Sequence, residues 1–371
     1  MTRRPTRARK PRGASRVGAR FEAVVGPVAH GGHCVARVGE ESRVVFVRHA
    51  LPGERVVLEV TEGTEGDRFW RADAVEVLEA SPDRVEPPCP YAGPGLCGGC
   101  DFQHVVLPRQ RALKAEVVRE QLSRLAGLDV AVEVEPVPGE PPHETDGLRW
   151  RTRQRYVDLP GGRRGMRKHR SHEVVEVADC LIAGPPATHV VDDLEFGVDD
   201  AGFWQVHPGA PSVLVSTVVG MLAARPGERV LDLYAGVGLF ARFLAAEVGD
   251  PGLVTLVEGD RRACAHAEAN VPGATVRHGD VGAVLSALPL EPVDLVVLDP
   301  PREGAKRAVV EAVVARAPRA AAYVACDPAA LARDVAIFAE HGYRLTALRA
   351  FDLFPMTHHV ECVALLQPAG T

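Results

Sequence analysis

At 371 residues the chain is too long for one ordinary core, so two or three domains are expected. With 46% apolar and 25% charged residues its composition is globular, and a net charge of −6 makes no whole-protein case for nucleic acid. No apolar run approaches membrane-spanning length and no apolar segment follows the basic start, so a cytoplasmic protein with no membrane partner is expected.

Charge is uneven along the chain. Residues 1–20, MTRRPTRARKPRGASRVGAR, hold no acid. With their Pro and Gly they read as a disordered arm, either gripping phosphates or only solubilising. Residues 21–80 follow with five β-branched or alternating runs, among them HCVARV and RVVLEVTEG, separated by Gly and Pro. Five short strands in so small a space predict a small barrel of the oligonucleotide-binding (OB) class, or a β-module without a ligand.

Residues 81–195 read as a central α/β segment. SPDRVEPPCPYAGPGLCGGCDFQH is a loop organised by something other than a core, and LPRQRALKAEVVREQLSRLAG has helical apolar spacing with a Gly stop. LRWRTRQRYVDL and HEVVEVADCLI read as strands flanking the basic turn GGRRGMRKHRSH. From about residue 196 apolar strands alternate with helices, which predicts a parallel Rossmann-like α/β sheet covered on both faces. The last two strands lack a long helix between them and suit an antiparallel hairpin at the edge.

VLDLYAGVGLFARFLA is a strand, a Gly-rich turn and a helix, where Gly236 and Gly238 let a ligand approach the backbone. Glu258 ends the next strand, where an acid binds ribose hydroxyls. The third Gly of a dinucleotide fingerprint is missing. Asp232, Asp280 near an adenine, and Asp299 give carboxylates at successive strand ends. That pattern suits S-adenosylmethionine, with its amine and sulfonium, rather than a pyrophosphate; a helix cap or turn is the plainer role for Asp232 or Asp280 taken singly.

Eight cysteines in a cytoplasmic chain of this size do not suggest a disulfide framework. Cys89, Cys97 and Cys100 are spaced C-x7-C-x2-C and Cys180 ends a strand, a set that holds zinc or a [4Fe–4S] cluster. Cys34, Cys264 and Cys362 read as packing. Cys326 follows the fifth strand of the sheet and precedes Asp-Pro, so it shares the ligand-bearing edge with Asp299. A thiol beside a helix start is expected to be acidified and nucleophilic, against the plain reading of a buried core thiol. Glu361, in a β-run with Val360 and Val363 around it, is either costly to bury without a role or simply surface-facing.

DLYAGVGLF, LDPPREG, ACDPAALARD and PMTHHVECVALL, in this order, resemble the RNA uracil-carbon-5 methyltransferases. ARVGEESRVVFVRHALPGE is similar to that family's TRAM barrel and CGGCDFQH to its iron–sulfur segment. The resemblance implies an OB-like TRAM barrel, a central iron–sulfur domain facing RNA and a C-terminal S-adenosylmethionine-dependent methyltransferase domain over residues 196–371. It implies Cys326 as nucleophile and Glu361 as proton-abstracting base, with Gln205, Tyr234, Glu258 and Asp299 contacting S-adenosylmethionine. It favours the cluster over zinc on the four cysteines. Thiolate addition at carbon 6 of uracil would make carbon 5 nucleophilic, carbon 5 would take the methyl group, and a base would remove its proton before the thiol leaves.

Four features depart from the family. Asp327 replaces the usual Asn, Met356 a usual His, and Leu239 a frequent Asn of the cofactor turn. About 25 residues separate Cys180 from Gln205, a trimmed central segment that puts substrate choice in doubt. The barrel and cysteines favour ribosomal RNA over transfer RNA, and a monomer is expected. Two other classes compete: a methyltransferase for exocyclic amines of nucleic acid, which would show an aromatic residue where Arg302 stands and has no use for Cys326, and a non-catalytic RNA-binding protein.

Overall fold

The structure, a computed structural model, describes residues 13–137 and 147–370. In chain order the elements are β1 (Arg20–Val24), β2 (Val28–Ala29), β3 (His33–Val38), β4 (Arg43–Arg48), β5 (Arg55–Glu62), β6 (Phe69–Glu79), α1 (Leu107–Ala126), β7 (Val134–Glu135), β8 (Val157–Leu159), β9 (Arg163–Arg167) and β10 (Val174–Glu176). They continue as β11 (Val190–Val191), β12 (Leu194–Glu195), α2 (Ala210–Leu222), β13 (Val230–Leu233), α3 (Leu239–Val248), β14 (Val254–Glu258), α4 (Arg261–Asn270), β15 (Thr275–His278), α5 (Val281–Ala287), β16 (Leu295–Leu298), α6 (Lys306–Val314), β17 (Ala320–Ala325), α7 (Pro328–Glu340), β18 (Tyr343–Phe351) and β19 (Glu361–Pro368).

These elements form two compact units. The first holds residues 13–110, 156–180 and 356–358; the second holds 111–137, 147–155, 181–355 and 359–370. Residues 81–195, expected as one central domain, are therefore shared between the two. The physical reason lies in their size and pattern. The meander of β8, β9 and β10 is too small to enclose a core, and the apolar stripe of α1 (Ala115, Val118, Leu122) is buried in a cluster with strands of the second unit.

In the first unit six strands, one more than the sequence suggested, lie in the order β1-β5-β6-β4-β3-β2. Period-two alternation turns Cys34, Ala36 and Val38 of β3 inward with Val45 and Val47 of β4 and Val56, Leu58 and Val60 of β5. The sheet closes on itself where Gly26 N–H donates to Val35 O (2.7 Å) and Val35 N–H to Pro27 O (2.9 Å). A side chain at residue 26 would put a Cβ 2.8 Å from Val35 O, so the closure needs glycine. Residues 1–12 of the basic arm lie outside the described residues. From residue 13 the segment is not a free arm: Arg16 N–H donates to Gly63 O (3.0 Å), Gly18 N–H donates to Val60 O (2.8 Å), and Arg20 begins β1.

The second unit is an eight-stranded sheet in the order β15-β14-β13-β16-β17-β19-β18-β7. β13 to β17 run parallel and β19 is antiparallel to both β17 and β18. The strands VLDL and LVVL are buried along their whole length because apolar clusters cover both faces, with α2, α3 and α4 on one and α1, α5, α6 and α7 on the other. The closing hairpin is antiparallel but does not form the edge: Val134–Glu135 of β7 pairs in parallel with Ala350–Phe351 beyond it. No helix of the described residues is long and apolar enough to cross a membrane.

Candidate active site

In an open α/β sheet the carboxyl ends of the parallel strands form the ligand edge. The turn after β13 is built for close approach. Gly236 and Gly238 have φ of +55° and +86°, and a Cβ at Gly236 would meet nothing within 4 Å, which leaves open space over the turn. At Gly238 a Cβ would come 2.9 Å from Val271 Cγ2, so that glycine serves the packing of α3 on the sheet. Glu258, the last residue of β14, holds the turn: its Oε2 accepts from Gly236 N–H (2.8 Å) and its Oε1 from Asp260 N–H (2.7 Å).

Asp232 is fully buried in β13. One oxygen accepts from Ala241 N–H in α3 (3.0 Å), and the other has no partner among the described residues. Burial, and then the charges of Asp299 and Glu258, push it up to about 8. Asp299, just past β16, is pushed up to about 7 by burial and by Glu258. The three acids therefore share one electrostatic field, which matches the chemistry of a cationic ligand. Tyr234 takes a φ of +61° in the same turn, and its hydroxyl is pushed up to about 12 by burial and then by Asp280. Asp280 is exposed and caps α5, accepting from Ala283 N–H (3.0 Å). Gln205 lies in the irregular segment leading into α2, which Thr152 N–H fixes by donating to Val206 O (2.9 Å).

Cys326 immediately follows β17, and Asp327 caps α7 by accepting from Ala330 N–H (2.8 Å). An aspartate performs this cap as an asparagine does, which accounts for the departure at 327. β19 runs antiparallel to β17 and pairs Cys362 with Ala325, so its first residue, Glu361, comes to the same edge as Cys326. Glu361 is 4% exposed, which settles it as a buried acid and not a surface one. Burial and then Asp299 hold it well above the ordinary carboxylate range.

The expected acidification of Cys326 is not found. Burial, followed by the charges of Glu361 and Asp299, pushes the thiol up to about 12. The capping carboxylate of Asp327 adds to the rise. Arg302 opposes the shift on both Cys326 and Glu361. Sequence reasoning gave Arg302 no role here, and its guanidinium lies 3.3 Å from His359 Nε2.

The loop carrying Asp299 and Arg302 is fixed from α7. Buried Asp334 accepts from Ala305 N–H (2.7 Å) and from Tyr323 O–H (2.5 Å) with one oxygen. Gly304 has a φ of +82°, and a Cβ there would fall 2.6 Å from that same oxygen. The remaining cysteines of this unit, Cys264 and Cys362, are buried, and Leu239 is a buried first residue of α3.

The four other cysteines all lie in the first unit, three in the irregular chain after β6 and Cys180 beyond β10. Burial, then Cys180 and Cys89, raises the Cys97 thiol; burial, then Cys180 and Cys97, raises Cys100. Gly99 N–H donates to Cys97 Sγ and Gln103 Nε2 to Cys100 Sγ, each at 3.4 Å. The neighbouring cysteines thus bear on Cys97 and Cys100, yet among the described residues no group of three or more His, Cys, Asp or Glu side chains is arranged to hold a metal ion. Cys34 is a core residue of the barrel, its thiol donating to Ala50 O (3.4 Å). Met356 is buried in the same unit, where its N–H donates to Gln110 Oε1 (2.9 Å).

Three family models match parts of the chain: a TRAM domain over residues 14–75, a methyltransferase small domain over 211–322 and a tRNA (uracil-5-)-methyltransferase over 288–369. An uncharacterized RNA methyltransferase of Streptomyces avermitilis is 44% identical, with 95% of this chain and 99% of that protein covered. A 23S rRNA (uracil(1939)-C(5))-methyltransferase of Shewanella piezotolerans is 28% identical over 96% of this chain and 98% of its own. Among solved structures, the Pyrococcus abyssi tRNA (uracil-54, C5)-methyltransferase in complex with S-adenosyl-L-homocysteine shares the fold, with a TM-score of 0.66 at 20% identity over 92% of this chain and 99% of its own.

Proposed function

The chain belongs to the RNA (uracil-5-)methyltransferase family and carries its TRAM domain, and we propose that it methylates carbon 5 of a uridine in 23S ribosomal RNA through a covalent bond between Cys326 and carbon 6. The observation that carries this reading is the pairing of β17 with β19, which sets a thiol and a buried carboxylate together on the edge that also bears the acid cluster. S-adenosylmethionine supplies an electrophilic methyl group when bound. The acids Asp232, Glu258 and Asp299 suit its cationic groups, Gly236 leaves room above the turn, and Gln205, Tyr234 and Asp280 complete the proposed contacts.

The chain's own residues then act in order. Cys326 gives its thiol proton to solvent, its sulfur bonds to carbon 6 of uracil, and the electrons of the carbon 5–carbon 6 double bond move into the ring as an enolate, which makes carbon 5 nucleophilic. After carbon 5 has gained the methyl group, Glu361 takes the carbon-5 proton and the carbon–sulfur bond breaks, restoring the ring and freeing the thiol. A raised carboxyl is a stronger base once ionised, and Arg302 supplies the positive charge that favours both a thiolate at Cys326 and a carboxylate at Glu361. A uracil must leave its stack to reach such an edge.

The ribosomal substrate is supported by the Shewanella relative, and transfer RNA is the alternative. An amine methyltransferase is disfavoured because its chemistry leaves Cys326 and Glu361 idle. RNA in which 5-fluorouridine replaces uridine tests the mechanism, since fluorine does not leave as a proton does. Offered with S-adenosylmethionine, the RNA should remain bonded to Cys326, and the trapped RNA names the substrate. Turnover on ordinary RNA without an adduct would sink the covalent route.

Cys89, Cys97, Cys100 and Cys180 are the proposed ligands of a [4Fe–4S] cluster, with zinc as the alternative. Support comes from the donor set, four cysteines of one compact unit, two of whose sulfur atoms accept N–H bonds from Gly99 and Gln103. Iron and acid-labile sulfide in the purified protein, lost together in a Cys97→Ser variant, are expected. Zinc without sulfide would decide for the other metal.

A further inference from the structure

Past β12 the chain from Phe196 to Gln205 forms neither helix nor strand. This strap is nonetheless held along its length by α3 and α4. Arg242 of α3 donates to Glu195 O and lays its guanidinium over the Phe196 ring, 4.8 Å from the centroid. Phe196 is buried, stacks on Phe243 of α3 at 6.3 Å and meets the Trp204 ring at 5.6 Å. Asp199 pairs with Arg262 of α4 at 3.6 Å. Between these contacts Gly197 lies directly against α4: a Cβ there would come 3.0 Å from His266 Nδ1 and 3.5 Å from Asn270 Oδ1.

Asn270, the buried last residue of α4, takes both polar groups of Gly197. Its Oδ1 accepts from Gly197 N–H (2.8 Å) and its Nδ2 donates to Gly197 O (3.0 Å). Nδ2 also donates to Val237 O (2.9 Å) in the cofactor turn. Gly197 N–H can only donate and the two carbonyls can only accept, so a single orientation of the amide satisfies all three. Val237 stands between Gly236 and Gly238, and Gly236 N–H is already held by Glu258 at the end of β14. The turn is therefore fastened from both ends of the β14–α4 unit. At the α4 end the fastening is shared with the strap.

We infer that Asn270 is a positioning residue for S-adenosylmethionine: by tying the strap to the Gly236–Gly238 turn it presents Gln205 and the turn to the ligand as one preformed surface. The inference rests on the proposed cofactor contacts of Gln205 and of the turn. Asn270 acts through them and not on the ligand. Without the tie, strap and turn are placed together only part of the time, and apparent affinity falls by that fraction. A saturating ligand holds the two together itself, so the chemistry at Cys326 is untouched. The effect belongs to the KM for the cofactor and not to kcat.

The test uses full-length protein and S-adenosylmethionine, with binding read by calorimetry in the absence of RNA. Asn270→Ala should weaken binding roughly tenfold, and in methyl-transfer assays the KM for S-adenosylmethionine should rise by about the same factor with kcat kept within about twofold. Hydrogen exchange at residues 196–205 should be faster in the free variant and return to the wild-type rate when the ligand saturates it. A merely structural residue would lower the melting temperature and move neither the affinity nor the split between KM and kcat. Arg262→Ala, which removes an exposed pair on the same strap, should bind as the wild type does. Gly197→Val lifts the strap from α4 while leaving the Asn270–Val237 bond, and should reproduce the loss; it decides alone if Asn270→Ala does not fold. Wild-type affinity in either variant, or a fall in kcat at unchanged KM, overturns the inference. Methyl transfer by the wild-type protein is measured separately. The positioning role fails alone if uridine is methylated while the variants bind normally. The uridine reading fails alone if the variants lose affinity for S-adenosylmethionine while no uridine is methylated.

Discussion

Cys326 and Glu361 stand on neighbouring antiparallel strands, one residue beyond the Ala325–Cys362 pair, and the charge on Glu361 raises the Cys326 thiol. The free site is therefore at rest with its thiol protonated, and Arg302 is the group that favours activation. Alkylation of Cys326, followed on its own peptide by mass spectrometry, should be slow at neutral pH and should still be accelerating past the ordinary thiol value of 9, toward about 12. Arg302→Met removes the opposing charge and should slow alkylation further. A plateau below the ordinary thiol value would show that the site acidifies Cys326 after all.

Replacing Glu361 by Gln removes the proton acceptor while keeping shape. On the proposed covalent route, addition and methyl transfer need no carboxylate, but release of the product does. Turnover should drop by about 10²–10⁴-fold. A methylated RNA–protein adduct should accumulate with ordinary uridine, visible as a denaturation-resistant complex. Loss of turnover without that complex would place Glu361 before the methyl transfer.

The acids at the strand ends make stability depend on pH. Asp232 and Asp299 are raised from 3.8 to about 8 and about 7, so the folded protein binds protons that the unfolded chain has released. Their favourable contribution is full below pH 3.8 and is lost as pH rises to about 8, so the ligand-free protein should grow less stable across that window. A cationic ligand reverses the sense by favouring the ionised acids. The rise in melting temperature given by S-adenosylmethionine should therefore be larger at the top of the window than at its middle, and Asp232→Asn should flatten that trend. A ligand shift that shrinks with pH would remove these acids from the ligand's neighbourhood.

Gly304 and Asp334 together hold the loop bearing Asp299 and Arg302. Gly304→Ala forces a Cβ to 2.6 Å from Asp334 Oδ2 at a φ of +82°, so the loop must shift. Methyl transfer should fall at least tenfold, while Tyr323→Phe, which removes one bond to Asp334, should cost about 1 kcal/mol of stability. Full activity in Gly304→Ala would show that the loop's position is unimportant to the chemistry.

What the sequence disclosed follows from where the chemistry sits. Glu258, Asp299 and Cys326 each end or follow an apolar run that forms a parallel strand, with Asp232 one residue short of the end of its own, and strand ends in such sheets converge on one edge, so a linear pattern points to the candidate site. Glu361 was legible only in part, because its side depends on the pairing of β19 with β17, which no local pattern encodes. Arg302 was missed because its position is set by Asp334, about 30 residues downstream. Strand β7 was invisible for a similar reason: two residues, Val134 and Glu135, take their identity from β18 alone. The thiol's direction was misjudged because a helix start is a local feature, whereas burial and the two largest opposing charges, Glu361 and Asp299, come from other chain segments.

One buried ion pair links α1 to the strand that leads into the site. Lys114 Nζ donates to Asp352 Oδ1 (2.5 Å) and to Phe354 O (3.0 Å), with both side chains at most 1% exposed. Phe354 meets His359 edge-on at 5.8 Å, and His359 lies against Arg302. The pair therefore anchors the segment that positions the group favouring a thiolate at Cys326. Lys114→Met leaves Asp352 buried and unpaired, and should cost about 3–5 kcal/mol in denaturant unfolding. The double variant Lys114→Met/Asp352→Leu should recover most of that stability, because no uncompensated charge remains. Its methyl transfer should stay reduced, with the KM for S-adenosylmethionine unchanged, because the anchor is gone while the acid cluster is intact. Recovery of activity together with stability would show that the pair supports the fold only and does not position Arg302.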